Sequence, residues 1–247
     1  SESMKQCLFE IVSNRRLAPN VFEMVLRGDC SAVAAPGQFV NLRLDGFYLR
    51  RPISVCNVDG DALTLIYKVV GRGTEAMSRM QPGEKLDALV GLGNGYSLDE
   101  CGDRPMLIGG GAGVPPMYLL ARRLLARGAD VTVVLGFNAR EEIFYEEEFR
   151  ALGAKVVVAT ADGSYGMRGF VTDAMKQLPA PSAVCACGPE PMLKAVYNAA
   201  DVPGQFSFES RMGCGFGACM GCTCKTKYGA KRICKDGPVL RREEIVW

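Results

Sequence analysis

The chain of 247 residues contains no histidine. That absence excludes Ser-His-Asp and Cys-His nucleophilic sites, His-ligated zinc, and a Rieske centre, in which two His hold one iron. Acid–base chemistry would fall to carboxylates, Lys, Tyr or Cys, and a protein whose cofactors carry the bond-making has little need of imidazole. Also missing is any apolar run long enough to span a bilayer, and no signal-peptide pattern precedes the first strand-like segment. An excess of one charge is missing too. The 29 Lys and Arg against 27 Asp and Glu leave +2, which argues against a dedicated nucleic-acid binder. There is no internal repeat and no low-complexity segment. A hydrophobic content of 48% is that of a soluble globular protein, and the length suffices for two modest domains and an appendage. Eleven cysteines without an export pattern predict a reducing, cytoplasmic setting.

Five of those cysteines fall in the last 34 residues, within RMGCGFGACMGCTCKTKYGAKRICKDGPVL. Cys214, Cys219 and Cys222 are spaced C-x4-C-x2-C and Cys234 follows, the order of a plant-type [2Fe–2S] site. Gly213, Gly215, Gly217 and Gly221 would let the backbone wrap an inorganic core and turn N–H groups toward sulfur. A structural zinc is the other use of four thiolates, although such sites usually pair two C-x2-C units. Cys224 is surplus and reads as a neighbour of the site. Lys225, Lys227, Lys231, Arg232 and Lys235 crowd the same stretch; they would ease reduction of an anionic centre, dock an acidic partner, or form a solvated basic loop.

From Lys5 to about Leu98 the pattern is strand-like. Phe22, Met24 and Leu26 alternate with Glu23 and Arg27, Val40, Leu42 and Leu44 alternate with Asn41 and Arg43, and Leu63–Val70 is a further β-rich stretch. Turn signals APGQ, VDGD and QPGE separate these runs, which predicts an antiparallel barrel. Near Asp103 the pattern changes to alternating strand and helix: MLIGGGAGVPPMYLLARRLLARG, the strand VTVVLGF, the helix EEIFYEEEFRALG, the strand KVVVAT, the helix GFVTDAMKQL, then AVCACGPEPMLKAVYNAA. That alternation predicts a parallel sheet covered on both faces. The predicted architecture is therefore a β-barrel domain over 1–101, an α/β nucleotide-binding domain over 102–206 and a small cluster-binding domain over 207–247.

Gly109–Pro116 closes a strand and opens a helix, where a dinucleotide phosphate can approach the backbone. The match to G-x-G-x-x-G is incomplete, because Pro116 stands at the third glycine, and Gly136-Phe137-Asn138 stands where a ribose-binding acid is expected. Cys187-Gly188-Pro189-Glu190-Pro191-Met192 repeats the strand–turn–helix arrangement. There Cys187 would either touch a nicotinamide ring or simply pack a strand end. In the barrel, Arg50-Arg51-Pro52-Ile53-Ser54 offers guanidinium and hydroxyl groups to a phosphate, and Gly71-Arg72-Gly73-Thr74 offers a glycine-rich turn with Thr74 as an N-cap or a phosphate contact.

Taken together, RRPIS, GRGT, GNGYSL, GGGAGVPP, ADGSYG, CGPEPM and the cysteine segment resemble, over essentially the whole chain, the ferredoxin–NADP reductase superfamily. Within it they resemble the electron-transfer subunits of class 1B dihydroorotate dehydrogenase. The resemblance implies FAD held by Arg51, Pro52, Ile53, Ser54, Ile66, Tyr67, Lys68, Gly73 and Thr74, with Ile53 where many reductases carry an aromatic. It implies NAD at Gly111, Ala112, Gly113, Val114, Pro115, Cys187, Gly188, Pro189 and Met192, and a [2Fe–2S] cluster on Cys214, Cys219, Cys222 and Cys234, with a spacer before Cys234 short for that family. It also implies a separate FMN-containing catalytic subunit that oxidises dihydroorotate, two copies of each chain, and electrons passing through cluster and FAD to NAD+ in pyrimidine biosynthesis. Glu141 and Glu142, following Arg140, would repel the extra phosphate of NADP. The flavin subunit of a bifurcating NADH–ferredoxin:NADP oxidoreductase or sulfide dehydrogenase is the alternative; those relatives often carry Asp where this chain has Cys214. A non-enzymatic zinc-binding module is a third reading.

Overall fold

A computed structural model describes residues 4–46, 50–209, 223–226, 229–232 and 236–247. Six strands form a closed antiparallel barrel: β1 Lys5–Ala18, β2 Val21–Arg27, β3 Phe39–Arg43, β4 Arg51–Asp59, β5 Ala62–Lys68 and β6 Lys85–Leu92, in the order β1-β2-β5-β4-β3-β6. A helix, α1 Arg72–Ser78, follows β5. The period-2 pattern sets the barrel interior: Phe9, Met24, Leu26, Val40, Leu42, Leu63 and Leu65 are all buried in one core. Each such side chain contributes about 1.5–3 kcal/mol on leaving water. Glu23 departs from the expected alternation. It points out of the barrel yet is only 7% exposed, because the second domain covers it.

That domain is built on β7 Pro105–Gly110, α2 Pro115–Ala126, β8 Thr132–Phe137, α3 Glu146–Ala151, β9 Lys155–Thr160, β10 Met167–Arg168, α4 Val171–Lys176, β11 Ala183–Cys187, α5 Glu190–Ala199 and β12 Gly204–Ser207. The sheet order is β10-β9-β8-β7-β11-β12, all parallel. β15 Val239–Arg241 is added antiparallel beyond β12. A separate hairpin pairs β13 Thr223–Thr226 with β14 Gly229–Arg232. Alternate residues of each strand face opposite layers. Leu107, Val133 and Leu135 pack with α2 and Phe149 of α3, whereas Met106, Ile108 and Val134 pack with α4 and α5. The chain winds outward from β7 through β8, β9 and β10 and then returns through α4 to β11 on the other side of β7, so the switch point where α/β sheets bind ligands lies between β7 and β11.

Sequence and structure differ in two local elements. The helix expected over EEIFYEEEFRALG is broken into a 3-10 turn, Arg140–Glu142, and the short α3. Tyr145 lies between them in a left-handed conformation (φ 68°), which no α-helix can continue through. Thr74 is not an N-cap. It is the third residue of α1, and its hydroxyl accepts from the N–H groups of Val70 (2.9 Å) and Gly71 (3.3 Å).

The two domains are stapled at several points. Arg122 of α2 donates to Asn57 Oδ1 (2.9 Å) and to the Val58 carbonyl (2.8 Å), and Arg123 to the Ala34 carbonyl (2.8 Å). The GNGYSL segment joins both domains to the returning chain. Asn94 Nδ2 donates to the Val239 carbonyl (2.7 Å), and the buried Tyr96 hydroxyl donates to the Ala186 carbonyl (2.9 Å). Among the described residues no helix is long and apolar enough to cross a membrane.

Candidate functional site

Strand ends of both domains converge on one cleft of about 320 Å³. The barrel supplies Pro52, Ile53 and Ser54 from β4 and Ile66, Tyr67 and Lys68 from β5. The nucleotide domain supplies Gly110, Ala112, Gly113, Cys187, Gly188 and Pro189, and Glu209 closes the floor. Eleven residues expected at a flavin or nicotinamide from sequence therefore share one cavity. Register explains the convergence of the two glycine turns: Cys187 on β11 lies beside Gly109 on β7. They touch so closely that a Cβ on Gly113 would stand 2.1 Å from the Cys187 carbonyl oxygen, so only glycine fits there. Gly111 (φ 52°) instead meets open space, where a ligand can approach the backbone.

Arg51 has the signature of an anion site. Its Nε is buried without a hydrogen-bond partner among the described residues, and a Cβ on Gly73 would lie 2.6 Å from it. An unpaired buried donor costs about 1–3 kcal/mol, and a phosphate is the acceptor that suits a guanidinium. Neighbouring Arg50 is already engaged, with Nη2 at 2.9 Å from Asp87 Oδ1 and Nη1 on the Asn41 carbonyl (3.2 Å). Tyr67 turns its hydroxyl away from the cleft to donate to Asn14 Oδ1 (2.8 Å), and burial pushes this phenol up to about 12. Asn14 Nδ2 in turn donates to the carbonyls of Met77 (2.8 Å) and Met80 (3.0 Å), tying α1 to β1 and, through Tyr67, to β5. Gly73 and Thr74 are buried in α1 and do not line the cleft. Val114 is fully buried in the core behind the turn, packed with Leu107 and Met117.

Glu209, which the sequence reading did not single out, is the most perturbed acid in the cleft. Burial raises its carboxyl to about 7, against the opposing pull of the nearby Ser54, Cys187 and Ser207 side chains. The residue keeps some exposed surface, but Oε1 is fully enclosed and has no partner of good geometry; the same holds for Ser207 Oγ. Burial first, and then the Glu209 charge, holds the Cys187 thiol well above its usual range, so Cys187 is a neutral thiol. The only hint in the sequence was a lone acid in FSFES, following a buried strand.

A second cavity of about 450 Å³ opens from the same switch point and shares Gly110 and Pro189 with the first. Met192, Gly111 and the β8 end (Gly136–Asn138) line it, with Phe170 exposed at its wall. Glu142 is its one charged lining residue, and Glu142 Oε2 accepts from the Asn138 N–H (3.1 Å). Arg140 is turned aside, its guanidinium 5.7 Å from the centre of the Tyr165 ring. Pro115 opens α2 as its first residue, leaving the helix N-terminus toward a third recess of about 440 Å³ that lies between the domains.

The expected cluster ligands Cys214, Cys219, Cys222 and Cys234 lie outside the described residues, as do the side chains of Cys224 and the neighbouring basic residues. Four thiolates are the donor set that iron–sulfur clusters use.

Two family models match parts of this chain. Residues 209–246 match the model of the iron-sulfur cluster binding domain of dihydroorotate dehydrogenase B, and residues 107–198 match the oxidoreductase NAD-binding domain. The dihydroorotate dehydrogenase B (NAD(+)) electron transfer subunit of Bacillus pumilus (strain SAFR-032) is 42% identical over 255 residues, covering 98% of each chain. That of Geobacillus sp. (strain WCH70) is 44% identical over 256 residues, covering 98% of this chain and 99% of the relative. Among solved structures, an NADH-dependent reduced ferredoxin-NADP oxidoreductase studied for flavin-based electron bifurcation superposes with a TM-score of 0.85 at 31% identity, covering 97% of this chain and 90% of that one. A ferredoxin NADP+ reductase from Neisseria gonorrhoeae with bound FAD and NADP shares the fold, with a TM-score of 0.67 at 19% identity over 79% of this chain and 90% of that one.

Proposed function

Because the chain belongs to the family of dihydroorotate dehydrogenase B electron-transfer subunits, we propose that it carries electrons from dihydroorotate, oxidised in a separate FMN-containing subunit, to NAD+. The observation that carries this reading is the junction of the 320 Å³ and 450 Å³ cavities at Gly110 and Pro189, which lets two ring systems meet beside Ser54 and Cys187. When bound, FAD stores two electrons and exchanges them singly with a [2Fe–2S] centre or as hydride with NAD. The residues of the chain bind, orient and shield. Arg51 supplies the unpaired donor for the flavin pyrophosphate. The apolar walls at Ile53 and Ile66 and the neutral Cys187 keep water from the meeting point. Glu209 holds its proton up to about pH 7 at the floor of the cleft. The lone carboxylate of Glu142 selects NAD, since the 2′-phosphate of NADP would meet a negative charge and no cation.

No orotate site is evident among the described residues, and on this reading dihydroorotate turnover requires the partner, in an assembly of two copies of each chain in the cytoplasm. Cys214, Cys219, Cys222 and Cys234 hold the cluster on this reading. The bifurcating oxidoreductase is the second reading, favoured by the 0.85 superposition; the retained Cys214 and the more similar full-length relatives weigh against it.

The test is an anaerobic titration of the purified chain, first with NADH and then with NADPH, followed by visible spectra. The expected result is bleaching of both flavin and iron–sulfur bands by NADH, little change with NADPH, and none with dihydroorotate alone. Bleaching by dihydroorotate in a partner-free sample would overturn the division of labour.

A further inference from the structure

Glu23 lies on the outer face of β2, where strand alternation would give it to solvent, yet it is buried. Both of its oxygens are used. Arg15 Nε donates to Oε1 (2.8 Å), and the Tyr145 hydroxyl, from the other domain, donates to Oε2. Tyr145 reaches it from a backbone conformation that an aromatic residue rarely adopts (φ 68°, ψ 7°), held by edge contacts with Tyr118 (5.3 Å) and Phe149 (6.5 Å). Strain of this kind persists where surrounding contacts over-determine it, and it clusters at functional sites.

Both ends of this contact abut the 440 Å³ recess between the domains. Val21, two residues before Glu23 on the same strand, lines its barrel wall; Phe144, the neighbour of Tyr145, lines the opposite wall with Glu141 and Glu142. Elsewhere the domains are joined through α2 and the GNGYSL segment, by Arg122, Arg123 and Tyr96. Those contacts hold the domains together without Tyr145, but they do not reach the wall formed by residues 141–144.

We propose that Arg15, Glu23 and Tyr145 form an interdomain latch that sets the width of the recess through which the nicotinamide nucleotide reaches the flavin cleft. This rests on the proposed function, in which NADH occupies the adjoining 450 Å³ cavity, whose Gly111, Phe137 and Glu142 also line the recess. Tyr145 is then a positioning residue: it touches neither the nucleotide nor the flavin, but fixes the wall bearing Glu142 and Phe144 against the strand bearing Val21. Releasing it leaves the fold intact and widens the distribution of wall positions, so a bound nucleotide must restore the order that the latch now supplies.

The test uses the full chain with its cofactors, as wild type, Tyr145→Phe and Glu23→Gln. Hydrogen–deuterium exchange without nucleotide should show residues 140–151 of Tyr145→Phe exchanging about three- to tenfold faster, the worth of one hydrogen bond. The dissociation constant for NADH should rise by a similar factor, with flavin content unchanged. Glu23→Gln, which keeps an acceptor for the tyrosine, should fall between. Wild-type exchange and wild-type NADH affinity in Tyr145→Phe would overturn the latch, as would a lower Tm with both unchanged. If the wild-type chain itself failed to bind NADH, the nucleotide reading would fail, and the exchange measurement would still decide whether Tyr145 secures this wall.

Discussion

The flavin cleft and the nucleotide cavity adjoin, but their polar groups are treated in opposite ways. In and behind the first cleft, Arg51 Nε, Ser207 Oγ and Glu209 Oε1 are buried with no hydrogen-bond partner of good geometry among the described residues, although only Glu209 lines the cleft itself. On the nucleotide side the one charged lining residue, Glu142, already accepts from the Asn138 N–H, and glycine, proline and apolar side chains make up most of the wall. A buried unpaired group is a standing cost that only a ligand relieves. On the proposed assignment, the first cleft leaves polar groups for a resident to satisfy, whereas the second cavity has its charged group satisfied without a ligand. That is the division expected between a prosthetic group and a substrate that must leave at every turnover.

Removing the ligands in turn breaks or sharpens that contrast most strongly. Stripping FAD should lower Tm by about 10 °C, given the roughly 4 kcal/mol that a ligand present at a thousand times its Kd contributes and the 2–4 °C per kcal/mol of a chain this size. Removing NAD should shift Tm by about 2 °C or less. Calorimetry on both forms checks this, and equal shifts would erase the distinction.

Arg51→Ala comes next. Loss of a charged donor should weaken FAD binding by about 10- to 100-fold, whereas Arg50→Ala, which removes a guanidinium already paired with Asp87, should change it by less than about threefold. Flavin retained after dialysis of the two variants separates the outcomes.

Glu209→Gln tests the floor of the cleft through pH. The folded carboxyl is raised from 4.5 to about 7. Below the unfolded value both states hold the proton, and above the folded value both have lost it. In between only the folded chain binds it, so this group's stabilising contribution is lost as pH rises through that window. The loss is at most on the order of 3–4 kcal/mol. Urea midpoints of Glu209→Gln should be flatter than wild type between pH 5 and 8, and the rate of flavin reduction by NADH should lose a step near pH 7. A wild-type pH profile in the variant would remove Glu209 from the site.

The smallest effect is expected at Glu142. Glu142→Gln should reduce the preference for NADH over NADPH by about fivefold, the loss of one partly solvated repulsion, without altering flavin content. An unchanged ratio of the two dissociation constants would place selection elsewhere.

The barrel and the parallel sheet were legible because their residues repeat with the period of the backbone that carries them. Met24 and Leu26, or Val133 and Leu135, need no partner to declare a strand. The glycine turns were legible for a related reason, as Gly113 stands where no side chain fits. Tyr145 was not. EEIFYEEEFRALG has every local mark of one helix, and the left-handed residue that breaks it answers to Glu23, 122 positions away. Glu209 and Asn14 were missed in the same way, each a single polar residue whose role lies in contacts far along the chain. Val114, expected at the nucleotide, has helical backbone at the junction of the glycine turn and α2, which turns its side chain into the core with Leu107 and Met117.

What the amino-acid order determined unaided is whatever rests on local chemistry: two periodicities, the glycine turns, and four cysteines in the order C-x4-C-x2-C followed by a fourth. Only the tertiary structure decided which of two adjacent arginines keeps an unpaired Nε among the described residues, which carboxylate is driven toward neutrality, and which outward-facing glutamate is buried between the domains. Desolvation and partner geometry make those choices, and both depend on what the rest of the chain brings alongside.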